Sequence, residues 1–246
     1  DEPVEPRWRP AAQRDERIFG AIGIHPQDAR EAEEVWFQEI ADLALHPKVV
    51  AIGEIGLDFY RDYGPRELQE KWFQQQVQLA TKLDLPIIIH NRDAHAEILP
   101  LLEKTGVPSR KGVFHAFSGD LTFARHVIEL GFLISITGVV TFKNAPALCD
   151  IVRDIPLEKL LIETDAPYLA PTPYRGQRNE PAYVLRVAEK IAELKSVSLE
   201  EVALQTTENA KNLFSFERGK SWRKFLRLYF YSHLLHVLDK QCFELR

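Results

Sequence analysis

Six times along this chain a short, unbroken apolar run is followed by a stretch with helical periodicity. The runs are "RIFGAIGIHP", "KVVAIGEIGL", "LPIIIHNR", "KGVFHAFSG", "GFLISITG" and "EKLLIETDAP". Hydrophobicity that is continuous rather than alternating marks strands covered on both faces, the condition of a parallel sheet with crossover helices. The first strand is read over residues 18–24. Helices are expected over 31–46, 65–83, 94–105, 121–130, 145–154 and 181–195. A last helix follows "SLEEVA", where Ser198 and Glu201 have capping-box spacing. Six strand–helix units leave two architectures open: an open doubly wound sheet, or an eight-unit (β/α) barrel short of its first two units.

The polar residues fall at the C-terminal ends of these runs. His25 is read as ending the first, Glu54 the second, His90 the third, His115 the fourth and Asp165 the last. A parallel sheet gathers such ends on one side, where α/β enzymes hold their sites. Imidazole and carboxylate together suit zinc, magnesium or manganese. Glu54 inside an apolar run needs a compensating charge, because an unpaired buried carboxylate is too costly, and Gly53 beside it is read as letting the backbone pass close to the site. Asp165 precedes Ala166-Pro167, and a proline withholds a donor and turns the residue before it away from helix. The carboxylate is therefore expected on a stiff strand-to-loop corner.

Each residue alone has a plainer role. A strand-end histidine commonly serves as a hydrogen-bonded structural group, Glu54 fits one half of a buried ion pair, and Asp165 fits a turn cap. His46, His95 and His126 take the plain reading, as do His233 and His236 in the tail. What separates the two readings is coincidence: five structural residues are not expected to end five of six strands on one rim.

In order and spacing, "AIGEIGLDFY", "PIIIHNRDA", "GVFHAFSG", "SITGVVTFKN", "LLIETDAPYLAP" and "RGQRNEPAYV" resemble the motifs of the TatD family of metal-dependent hydrolases, in the amidohydrolase-like superfamily. The resemblance runs from about residue 18 to about residue 214. It implies an α/β fold of the TIM (β/α)8 barrel type with a divalent, two-metal centre. It also implies a deoxyribonuclease with 3′→5′ exonuclease action, some relatives acting on other bonds. By the same resemblance Glu54 is the carboxylate that bridges or shares the metals, and His90 and His115 are imidazole ligands of the second metal. Asp165 binds the first metal and orients or deprotonates the attacking water, and His25 lies near the phosphate or metal site. Arg175, Arg178 and Asn179, in the loop after the last strand, are placed on a substrate phosphate, with arginine suited to bidentate contact. Two cations about 3.5–4 Å apart clamp the attacking and leaving oxygens of a phosphodiester.

The family's opening strand ends in His-x-His, and no such motif occurs here. The barrel is therefore expected to be incomplete, with the first two β/α units missing, and the chain, which has no methionine, is not expected to be an intact reading frame. Three segments follow: an irregular one over 1–17, the hydrolase domain over 18–218, and a basic, aromatic extension over 219–246, read as an outer amphipathic helix or a non-native tail. A net charge of −5 leaves the holding of phosphates to local groups and metal ions. Two cysteines, with no apolar run of membrane length and no leader before the fold, point to the cytoplasm. DNA is the expected substrate, no membrane partner is expected, and nothing in the chain speaks to oligomeric state. Two other readings compete with the nuclease: a hydrolase of a small ester, lactone or amide, with a closed pocket, and an inactive remnant that binds little metal. The "YRGQRNE" loop favours phosphate.

Overall fold

A computed structural model describes residues 15–60 and 64–216. Most of the expected segment 1–17, and all of the extension 219–246, lie outside the described residues. The described residues fall into two compact units, one running to Arg110 and the other starting at Lys111.

In the first unit β1 (Gly20–Ile22), β2 (Val49–Asp58) and β3 (Ile87–Arg92) pair in parallel in that order. The helices α1 (Glu34–Leu43), α2 (Arg66–Leu83) and α3 (His95–Thr105) follow them in turn. Ile52 pairs with Ile22 on one side and Ile87 on the other, and Ile52, Ile87 and Ile89 are wholly buried. Burying such a side chain contributes about 1.5–3 kcal/mol, so these runs hold the sheet at its centre. The first strand is shorter than residues 18–24, because the backbone past Ile22 leaves the sheet and meets a helix side chain instead. The first helix is shorter than 31–46. The Glu31 and Ala32 N–H groups bond back to the Asp28 carbonyl, and at the other end Val49 N–H bonds to the His46 carbonyl.

In the second unit β4 (Gly112–Phe114), β5 (Leu133–Ile136) and β6 (Leu160–Ile162) are again parallel neighbours. Four helices accompany them: α4 (Leu121–Glu129), α5 (Pro146–Asp154), α6 (Val184–Lys195) and α7 (Leu199–Phe214). Helix α4 starts where Asp120 accepts the Phe123 N–H at 2.7 Å, and α7 where Ser198 Oγ accepts the Glu201 N–H at 3.1 Å. The helix expected over 181–195 divides: Pro181–Tyr183 is a 3₁₀ turn, and the α-helix begins at Val184. Phe114 packs edge-on against Phe123 and Phe132, at 5.7 Å each, and closes the core. Asn209 of α7 donates to the Leu157 and Leu160 carbonyls, which fixes the entry of β6. No helix among the described residues is long and apolar enough to cross a membrane.

Candidate functional site

In the first unit Glu54 lies inside β2 and not at its end, since β2 runs on to Asp58. The β2–β3 register shifts between Ile52 and Ile55, and Glu54 sits in that irregularity. Gly53 owes its identity to packing and not to the site, because a Cβ there would stand 2.5 Å from the Ile88 Cβ. His90, inside β3, reaches both carboxylates of β2: Nδ1 is 2.8 Å from Glu54 Oε1, and Nε2 is 3.1 Å from Asp58 Oδ2. His25 follows β1 and caps the 3₁₀ turn Pro26–Asp28. Its ring stands edge-on to His90 at 4.6 Å, and its Nε2 lies 3.7 Å from Glu54 Oε1. Ligand atoms of His25, Glu54 and His90 all fall within 4.8 Å of one another.

His25 differs chemically from the other two. Its Nδ1 accepts the Gln27 N–H at 3.1 Å. A neutral imidazole that accepts at one nitrogen carries its proton on the other. With Nδ1 engaged by the Gln27 N–H, Nε2 is the nitrogen that faces Glu54.

Burial raises the Asp58 carboxyl, but the hydrogen bond and charge of His90, with Gln27 and the Tyr60 N–H, outweigh it and hold the group at about 2. The backbone around this group is fixed by two amides of α2. Gln69 accepts the Asp58 N–H at 2.9 Å and donates to the Asp58 carbonyl at 3.1 Å. Gln76 does the same for Ile24, at 2.5 and 3.1 Å. The two glutamines stand two helical turns apart, on one buried face.

Asp28, at the end of the turn that His25 caps, has the opposite perturbation to Asp58. Burial, with repulsion from Glu31, raises its carboxyl from 3.8 to about 6. A raised folded-state pKa means that the fold favours the neutral acid. The contribution is complete below pH 3.8 and is lost as pH rises through about 6. Asp28→Asn is therefore expected to raise the urea midpoint at pH 8 and to leave it unchanged at pH 3.5. Equal effects at the two pH values would refute this account of Asp28.

In the second unit His115 follows β4, and its Nδ1 is 2.8 Å from Glu163 Oε2. The other oxygen, Glu163 Oε1, accepts the Ala116 N–H at 2.8 Å, a donor that also reaches Ser135 Oγ at 3.2 Å. His115 Nε2 lies 3.7 Å from Asp165 Oδ1, and all three side chains are buried. Asp165 has φ 54°, a left-handed conformation that Asp and Asn tolerate. Its carbonyl accepts the Tyr168 N–H at 2.8 Å, which closes the corner.

The loop after β6 divides the three residues assigned to substrate. Asn179 is buried, and its amide donates to the Thr164 and Tyr168 carbonyls at 2.7 and 2.6 Å, so it braces the corner carrying Asp165. Arg175 and Arg178 are exposed, Arg175 lying over the Phe142 ring at 4.3 Å. Tyr174 and Tyr183 stack beside them, 7° from parallel. His46 accepts the Lys48 N–H at 3.1 Å, His95 opens α3 and His126 lies exposed on α4. His233 and His236 lie outside the described residues.

Each unit thus sets two carboxylates around one imidazole: Glu54 and Asp58 at His90, Glu163 and Asp165 at His115. Hard oxygens with imidazole nitrogen suit a divalent cation, and among the described residues His25, Glu54 and His90 have the spacing to hold one. Sequence reasoning gave no role to Asp58 or Glu163. The available signal was a carboxylate at an even spacing from an assigned ligand, four residues after Glu54 in "GEIGLD" and two before Asp165 in "ETD".

The TatD-related DNase family profile matches residues 6–215. An uncharacterized metal-dependent hydrolase of Bacillus subtilis, YabD, is 46% identical over 214 residues, covering 87% of this chain and 84% of its own length. The 3′-5′ ssDNA/RNA exonuclease TatD of Citrobacter rodentium is 38% identical, over 82% of this chain and 79% of its own. The crystal structure of YjjV, a TatD homologue from Escherichia coli K12, superposes with a TM-score of 0.80 at 34% identity, covering 85% of this chain and 81% of that one. The fold class is that of these relatives, α/β of the TIM-barrel type.

Proposed function

This chain belongs to the TatD family of metal-dependent hydrolases, and on that premise we propose that it removes nucleotides from the 3′ end of single-stranded DNA. The observation that carries the reading is the similarity to the Citrobacter rodentium relative, whose name states a 3′-5′ exonuclease on single-stranded DNA and RNA.

Glu54 and His90 are proposed as ligands of one divalent cation, His115 and Asp165 as ligands of another. Bound cations lower the pKa of coordinated water toward neutrality and offset phosphate charge. Asp165, on its braced corner, orients and deprotonates the attacking water. The Nε2–H of His25 donates to a phosphate oxygen, a role supported by the Gln27 contact at its Nδ1. Arg175 and Arg178 take the neighbouring phosphates. Asn179 serves the reaction only by holding the Asp165 corner.

The test is a 5′-labelled single-stranded oligonucleotide incubated with the full chain and Mn²⁺. Progressive shortening from the 3′ end is expected, stopped by EDTA and restored by added metal. Turnover of small esters with no oligonucleotide cleaved would overturn the nuclease reading.

A further inference from the structure

We infer that Glu163 is a positioning residue that selects which nitrogen of His115 is offered to a cation; this rests on the metal-hydrolase reading above. The evidence is the way its carboxylate divides its two oxygens. Glu163 Oε1 accepts the Ala116 N–H at 2.8 Å. A backbone N–H can only donate, so that oxygen is committed. The second oxygen, Oε2, faces His115 Nδ1 at 2.8 Å. An ionised carboxylate only accepts, so Nδ1 carries the proton. His90 is not assigned in this way, because carboxylates of Glu54 and Asp58 face both of its nitrogens, at 2.8 and 3.1 Å.

The opposite nitrogen, His115 Nε2, is 3.7 Å from Asp165 Oδ1 and is the one assigned to a cation. A carboxylate behind a metal-binding imidazole fixes its tautomer and its orientation, and removing such a partner typically costs 10–100-fold in metal affinity.

An amide substitution makes the inference sharp. Glu163→Gln retains one acceptor oxygen, and the 2.8 Å contact from Ala116 N–H claims it. The NH₂ must then face His115 Nδ1, which has to accept, and the proton moves to Nε2, where the cation would bind.

The experiment uses the full chain, labelled with ¹⁵N-histidine and stripped of metal, in two-bond ¹H–¹⁵N correlation spectra. His115 is assigned by comparison with His115→Gln. The parent is expected to show His115 protonated at Nδ1. Glu163→Gln is expected to show it protonated at Nε2 alone, with Mn²⁺ binding weakened by about 10–100-fold and the circular dichroism unchanged. An unprotonated Nδ1 in the parent overturns the inference, and so does parent-like Mn²⁺ affinity in folded Glu163→Gln. Should that variant not fold, the parent spectrum still decides. No substrate enters these measurements, so a chain that cuts no DNA leaves the inference standing, and an active nuclease with the other tautomer defeats it alone.

Discussion

Asp165→Asn is expected to lower the exonuclease rate by about 10²–10⁴-fold while leaving the melting temperature within a few degrees of the parent. The substitution keeps the shape of the side chain and removes its charge and basicity. Asparagine tolerates the left-handed φ of 54° that this position adopts. The corner itself depends on other groups. Ala166 N–H bonds to Thr164 Oγ1, Tyr168 N–H to the Asp165 main-chain carbonyl, and Asn179 to the carbonyls of Thr164 and Tyr168. A corner built from these contacts survives the change, and a misplacement of even about 1 Å, costing on the order of 10² in rate, is not expected. If Asp165 is only a turn cap, asparagine serves as well. A near-parental rate on the labelled oligonucleotide would make Asp165 structural.

Gly56→Ala should destabilise the protein by about 3 kcal/mol or more, enough to unfold a domain of ordinary stability at modest urea concentrations. Gly56 has φ +148°, which alanine adopts only under strain, and its missing side chain is where the His90 carbonyl lies. Gly56 pairs with His90 in the β2–β3 register, so an added methyl group pushes apart the strands that bring Glu54 and His90 within 2.8 Å. The measurement is the urea unfolding midpoint of the full chain. A loss under about 1 kcal/mol would show that the sheet yields here at little cost.

The parallel α/β order was legible because buried strands must be apolar throughout, and a polar side chain in such a run stands out. His25, Glu54, His90, His115 and Asp165 stand out in that way. Their exact places do not. Composition does not reveal that β2 continues beyond Glu54, because the register shift that accommodates it is made by pairing with β3. Gly53 was credited to the site because the contact that requires glycine comes from Ile88 on another strand. Asp58 and Glu163 gave no periodic signal, since their imidazole partners lie 32 and 48 residues away in the chain. In "YRGQRNE" the charged arginines and the neutral asparagine looked alike as phosphate groups, yet only the arginines are exposed. Gln69 and Gln76 sit in the polar string "ELQEKWFQQQVQ", where an amide facing the interior reads the same as one facing water.

Those two glutamines also bear on the order in which the first unit assembles. Gln69 reaches Asp58 across 11 residues, while Gln76 reaches Ile24 across 52. Chain-closure entropy grows as three-halves of RT times the logarithm of loop length, so the longer closure costs about 1.4 kcal/mol more, roughly a tenfold disadvantage. The strand β2, its turn and α2 can lock as a local piece. The same entropy difference makes the Gln76–Ile24 clasp the easier of the two to release in a partial opening, so the turn that His25 caps is held less firmly by α2 than is the Asp58 end of β2.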